Sequence, residues 1–322
     1  MAENPYQFDI ENRPLFKWLS SRRAFLRARK LLRRVHPWGP KEMNLYDVLR
    51  YFFVGIVNGS VATRAAAISF RLFLAFFPAM IVLLSIVPYT PLSTEDVLSN
   101  LELLFPADAV ELFEQTVTDL IDQRQGALLS VGFVLMLFYA SSSVNAILTG
   151  FGESFHLQRR PDWVVFRLMS ILLLLVLSLL LGVAVLLAGF AGEALVWAEG
   201  RGWLDAEALP WLSLARWMVS LALVYTSVNI LYHAGNRERE RRFTFSVGAS
   251  MTTVLIVLFS LGFSYFIEQF NSYNRLYGSL GTLLVTLVWV NSNSSVLLLG
   301  FELDAAIHRA RRRPGSGLPS TQ

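Results

Sequence analysis

Two arginines inside an apolar stretch are the residues of this chain best placed to do chemistry. The segment Val61–Pro88, VATRAAAISFRLFLAFFPAMIVLLSIVP, has the length and apolarity of a membrane-spanning helix, yet it carries Arg64 and Arg71. A charge near the bilayer centre costs at least about 2.5 kcal/mol, so such residues face protein or water and are candidates for function. At about 100° per residue, Ser60, Arg64, Ala67, Arg71, Ala75, Pro78 and Ser85 share one narrow face, which predicts a stripe turned away from lipid. A guanidinium presents a planar fork of donors suited to carboxylate or phosphate, so the chemistry predicted is anion binding. The competing reading puts Arg64 at the headgroups and has Arg71 snorkel or form a structural ion pair.

Polar residues from other apolar segments fall at a matching depth. One segment ends in Ser141, Ser142, Ser143 and Asn145, another carries Thr226, Ser227 and Asn229, and the last contributes Asn291, Ser292, Asn293, Ser294 and Ser295 before Glu302 and Asp304. Their convergence predicts a hydrated pocket open to the cytoplasm, lined by Arg64, Arg71, Ser142, Asn145, Asn229, Asn291, Asn293, Ser295 and Glu302. Glu302 is the first candidate counter-charge for Arg64, and Glu153 the second. On the last helix Thr282, Thr286, Asn293 and Asp304 lie opposite Asn291, Ser295 and Glu302. A helix polar on both sides belongs at the centre of a bundle, with Gly278, Gly281 and Gly300 allowing close approach. Against the pocket stands the common use of Ser and Asn to join transmembrane helices by hydrogen bonds worth about 0.6–2 kcal/mol.

Other chemistries find little support. The chain has no cysteine, which removes disulfides, thiolate catalysis and Cys-ligated zinc. The four histidines, His36, His156, His233 and His308, lack the i, i+4 spacing of HExxH. No Walker A loop, GxSxG elbow or GxGxxG turn occurs. The expectation is a protein that is not an enzyme and needs no metal or cofactor.

The elements that must position these residues are helices in a membrane. Hydrophobic residues make up 54% of the chain and charged residues 16%, and the mean hydropathy is +0.48, which places it among integral membrane proteins. After the first span, further spans are predicted at about 128–150, 164–189, 210–233, 244–267 and 278–305. Positive charge gathers in alternate connections: Arg159 and Arg160, then Arg237, Arg239, Arg241 and Arg242, then Arg309, Arg311, Arg312 and Arg313. By the positive-inside rule both termini are cytoplasmic.

The flanking pieces follow. Residues 1–44 form a cytoplasmic arm. In it Leu15–Val35 reads as a basic amphipathic helix in which Trp18, Arg22, Arg23, Arg27, Arg33 and Arg34 meet anionic headgroups. Leu45–Val57 reads as a short interfacial elbow. Residues 45–308 form the transmembrane domain, residues 309–322 a disordered tail. Between Tyr89 and Ala127 eight acidic residues face the single basic Arg124, which predicts a small helical outer cap at about 90–126. The fold class expected is all-α: a polytopic protein of six transmembrane helices with a basic amphipathic N-terminal helix and a helical outer cap.

Tyr277-Gly278-Ser279-Leu280-Gly281, the long apolar helix after it, and Gly300-Phe301-Glu302-Leu303 with Ala305 resemble the close of the YihY/BrkB family of bacterial inner-membrane proteins. The arginine-bearing first span with Phe76-Phe77-Pro78 and the Asn236-Arg237 connection fit the same pattern, so the resemblance covers about residues 45–308. It implies a six-helix inner-membrane protein; the family once carried the label ribonuclease BN, and some members are linked to virulence or serum resistance. The run Asn291–Ser295 is more polar than the apolar final helix expected of the family.

Two functions compete at this stage. One is a transporter or lipid-handling protein that admits an anionic, amphipathic substrate between helices. The other is a non-transporting scaffold that binds an envelope partner through its acidic cap. A nuclease lacks any recognisable ligand or nucleophile constellation.

Overall fold

The computed structural model describes residues 44–58, 60–86, 118, 126–155, 163–189, 191–235, 245–269 and 279–312. The basic arm, with Trp18, Arg22, Arg23, Arg27, Arg33 and Arg34, lies outside these residues. So do nearly all of the acidic cap and the last ten residues.

Eight α-helices carry the described chain: α1 (Leu45–Asn58), α2 (Val61–Ile86), α3 (Gly126–Phe155), α4 (Trp163–Gly189), α5 (Ala191–Gly200), α6 (Leu209–Gly235), α7 (Val247–Gln269) and α8 (Ser279–Arg312). Among the described residues a 3-10 turn, Ala206–Ala208, leads into α6. Among the described residues there is no strand. Among the described residues six helices are long and apolar enough to cross a membrane: Val61–Ile86, Leu129–Gly152, Trp163–Ala188, Leu209–Gly235, Val247–Ile267 and Leu283–His308. These match the six spans read from the sequence, as a chain crossing hydrocarbon must, because only a helix satisfies its own backbone there.

Local signals set the helix starts. Asn44 caps α1 by accepting from the Asp47 amide at 2.9 Å, and Asp47 sits in the first turn, where the helix dipole favours a carboxylate. Ser60, between α1 and α2, has a left-handed φ of 48°, and its carbonyl takes the Arg64 amide at 3.0 Å to start α2. Ser246 caps α7 through the Ala249 amide at 3.0 Å, while its hydroxyl donates to Asp304 Oδ1 of α8 at 2.9 Å.

The buried core occupies one half of the bundle. Ala65 and Ile68 of α2 meet Leu148 and Phe151 of α3, Tyr232 of α6, and Leu298 and Phe301 of α8. Phe151 stacks on Phe301 with centroids 4.0 Å apart, and the Tyr232 ring stands edge-on to both. The Tyr232 hydroxyl is bonded to the Leu297 carbonyl and to Thr252 Oγ1, each at 2.6 Å. In a membrane lipid tails are as apolar as leucine, so packing and such hydrogen bonds hold the helices together more than the hydrophobic effect does. In the other half, side chains such as Val134 on α3, Met218 on α6 and Leu261 on α7 stay exposed, at no cost against hydrocarbon.

Three expectations need adjustment. Leu45–Val57 is more than an elbow: α1 is a full helix whose Val48, Tyr51 and Phe52 pack on Leu303, Ala306, Ile307 and Ala310. That packing carries α8 on to Arg312, so the first residues assigned to a disordered tail are helical. Centrality holds for only half of α8. Ser294, Leu298, Phe301 and Asp304 are buried, whereas Leu284, Val288, Trp289 and Asn291 are exposed.

Candidate functional site

α2 distributes its polar side chains between two neighbours, α3 and α8. Arg64, one turn into the helix and 6% exposed, points into the core. Its Nη2 donates to Glu302 Oε1 of α8 at 2.6 Å and its Nη1 to the Gly150 carbonyl of α3 at 2.6 Å. Glu302 is 2% exposed, and Gly55 of α1 leaves the space its carboxylate fills, since a Cβ there would come within 2.5 Å of Oε2. The pair therefore ties α1, α2, α3 and α8 into one unit. A buried ion pair of this geometry breaks even at best against an apolar substitute, but it is costly to halve, so it fixes register more than it adds stability. Arg64 thus meets the counter-charge expected from sequence, in a closed, packed environment.

Arg71 behaves differently. Two turns further along α2 it is exposed, and its Nη1 reaches the Ser142 carbonyl of α3 at 3.4 Å. The polar stripe is consequently not turned away from the surroundings along its whole length: Ala67 and Arg71 lie outside, because α3 and α8 bury only the face through Val61, Arg64, Ala65 and Ile68. Ser69, next to this edge, turns the other way: its hydroxyl donates to the Ala65 carbonyl at 2.6 Å and lies 3.3 Å from the Asn291 side-chain amide of α8.

A second arginine converges on the same turn of α3. Arg167 of α4 donates from Nη1 to Ser142 Oγ at 2.9 Å and from Nη2 to the Phe138 carbonyl at 3.0 Å, with its guanidinium 4.5 Å over the Phe138 ring. The sequence reading did not single out Arg167, which sits one turn inside a span. The signal available was its place in the most apolar of the spans. Among the described residues neither Arg71 nor Arg167 has a carboxylate within ion-pair distance.

The remaining candidates do not gather into one pocket. Ser142 joins the arginines, and its own hydroxyl donates to the Phe138 carbonyl at 2.7 Å. Asn145 accepts from Thr149 within its own helix at 3.3 Å. Asn293 donates back to the Trp289 carbonyl at 2.9 Å, and Ser295 to that of Asn291 at 2.8 Å. Asn229 is 2% exposed in the core half of α6. Many of the serines and threonines likewise bond to the carbonyl four residues back, as Ser69, Ser141, Ser143, Ser170, Ser220 and Ser227 do. The side chain of Glu153 lies outside the described residues. Among the described residues no three His, Asp or Glu side chains come together as a metal site would require.

The family described as Virulence factor BrkB matches residues 52–322. The putative ribonuclease-like protein YfkH of Bacillus subtilis is 30% identical over 256 residues, 78% of this chain and 92% of that protein. UPF0761 membrane proteins of Laribacter hongkongensis and Chromohalobacter salexigens are 25% and 26% identical over 76% and 77% of this chain. The chain spans only 57% and 60% of the length of those two. No solved structure matches. With the family matched across most of its length and six membrane-spanning helices, the chain belongs to the BrkB virulence-factor family of multi-pass bacterial membrane proteins.

Proposed function

We propose that this protein is a non-enzymatic inner-membrane transporter or lipid-handling protein whose substrate is an anionic amphipath that presents its charge to Arg71 from the cytoplasmic side. One observation carries the reading: Arg71 stands exposed in an apolar span, and no described carboxylate pairs with it. A charge held there is expensive, and an arriving anion offsets that cost. Arg64 takes a different part, as the structural partner of Glu302. The arginine-rich connections support an orientation with both termini in the cytoplasm. The basic arm, as a contact with anionic headgroups, and the acidic cap, as a surface for an envelope partner, belong to the same proposal.

The test compares Arg71→Leu and Arg71→Lys in proteoliposomes. It measures transbilayer movement of a fluorescent anionic lipid, beside thermal stability in detergent. Arg71→Leu should remain folded and lose movement. Arg71→Lys keeps the charge without the fork and should be impaired at near-normal stability. Full movement by Arg71→Leu would sink the reading and favour the scaffold.

A further inference from the structure

We propose that Arg71 and Arg167 together form a binding site for the phosphomonoester headgroup of a lipid, in the leaflet on the side of Trp163. The inference rests on the reading of Arg71 given above and names the chemical class of its substrate. The two guanidiniums come from different helices, α2 and α4, and both reach Ser142 on the helix between them, one at its carbonyl and the other at its hydroxyl. A guanidinium has five N–H donors. Arg71 uses one donor on Ser142, and Arg167 uses one on Ser142 and one on Phe138. The remaining N–H groups include enough donors to take several phosphate oxygens.

Charge selects the headgroup. Two cations on one turn of α3 repel each other in surroundings of low dielectric, and among the described residues no carboxylate compensates either. A phosphodiester brings one negative charge and leaves one cation uncompensated. A phosphomonoester brings about 1.5 to 2 negative charges near pH 7 and offsets both. Carboxylates fit less well, since one planar carboxylate engages a single fork.

Depth and surroundings select a lipid over a soluble anion. Trp163 opens α4 at 76% exposure, as tryptophans at a membrane interface do, and Arg167 lies one turn, about 6 Å, deeper. Arg71, ten residues or about 15 Å along α2 from Val61, carries the site from there toward the middle of the span. Beside it Leu168 and Phe138 are exposed at 61% and 53% and offer apolar surface to acyl chains.

The experiment measures binding to the full-length protein in detergent by native mass spectrometry. The probes are phosphatidic acid, phosphatidylglycerol and phosphatidylcholine of matched chains, with inorganic phosphate and glycerol 3-phosphate as soluble arms. The wild type should retain phosphatidic acid about tenfold better than phosphatidylglycerol, the worth of one additional charge-assisted contact, and hardly retain phosphatidylcholine. Arg167→Gln should abolish that tenfold preference, and Arg167→Lys should restore part of it. Equal retention of the two anionic lipids by the wild type, or an unchanged preference in a folded Arg167→Gln, overturns the assignment. Displacement of phosphatidic acid by inorganic phosphate or glycerol 3-phosphate at millimolar concentration overturns the lipid source. If Arg167→Gln does not fold, Ser142→Ala is the second variant: it removes one anchor of Arg167 and should weaken the preference, and an unchanged preference there counts against the site. Selective binding in the absence of transbilayer movement leaves this site standing while the transport reading falls. Movement with no selectivity does the reverse.

Discussion

Removing Arg64 should unfold this protein's core more readily than removing any lipid-facing leucine, and the size of the effect follows from the geometry. The guanidinium donates to Glu302 at 2.6 Å and to the Gly150 carbonyl at 2.6 Å, with the two charged side chains 5% and 2% exposed. In Arg64→Leu the carboxylate is left among packed helices without its cation, which costs about 3–5 kcal/mol. For a chain of this size that corresponds to a fall of about 5–10 °C in the thermal midpoint. The converse change, Glu302→Met, takes this carboxylate away from the buried arginine and should cost a similar amount. The double variant Arg64→Leu/Glu302→Met removes both charges and should lie within about 1–2 kcal/mol of wild type, because a buried pair roughly breaks even with an apolar one. A double-mutant cycle read by thermal unfolding in detergent therefore expects a coupling of about 3 kcal/mol or more. Single variants that lose less than about 1 kcal/mol would show that water reaches the pair. A double variant whose loss equals the sum of the singles would mean that Arg64 and Glu302 act through separate contacts. Either result refutes the argument that this pair locks the helices.

Two further outcomes are expected. A Cβ at Gly300 would overlap Thr252 Oγ1 and crowd the Gly248 carbonyl, so Gly300→Ala should push α7 and α8 apart and cost about 1–3 kcal/mol in thermal unfolding, whereas Gly262→Ala meets open space and should be neutral or stabilising. A cysteine placed at Asp108 should react with an impermeant maleimide from the non-cytoplasmic side; labelling from the cytoplasmic side alone would reverse the proposed orientation.

The six spans and their limits were legible in the sequence because a helix in hydrocarbon must be about twenty apolar residues long, whatever it packs against. The family was legible too, in the run from Tyr277 to Gly281 and in Gly300–Leu303; in the latter Gly300 packs close against α7 and Glu302 carries a buried charge. Even the partner of Arg64 was within reach, since Glu302 falls at the matching level of the last span.

Which helix lies beside which was not legible, because side-chain periodicity fixes a face and leaves the neighbour open. Tertiary structure alone decided that Arg64 is enclosed by α1, α3 and α8 while Arg71, two turns away on the same stripe, stays exposed at the edge of α3. It also brought in Arg167, whose role depends on α4 lying against the Ser142 turn. Conversely it dispersed Asn145, Asn293 and Ser295, because each bonds within its own helix instead of reaching across to a neighbour. A polar group in an apolar span takes the nearest partner that saves it from going unpaired, and only the packing of the helices determines whether that partner is its own backbone or another helix.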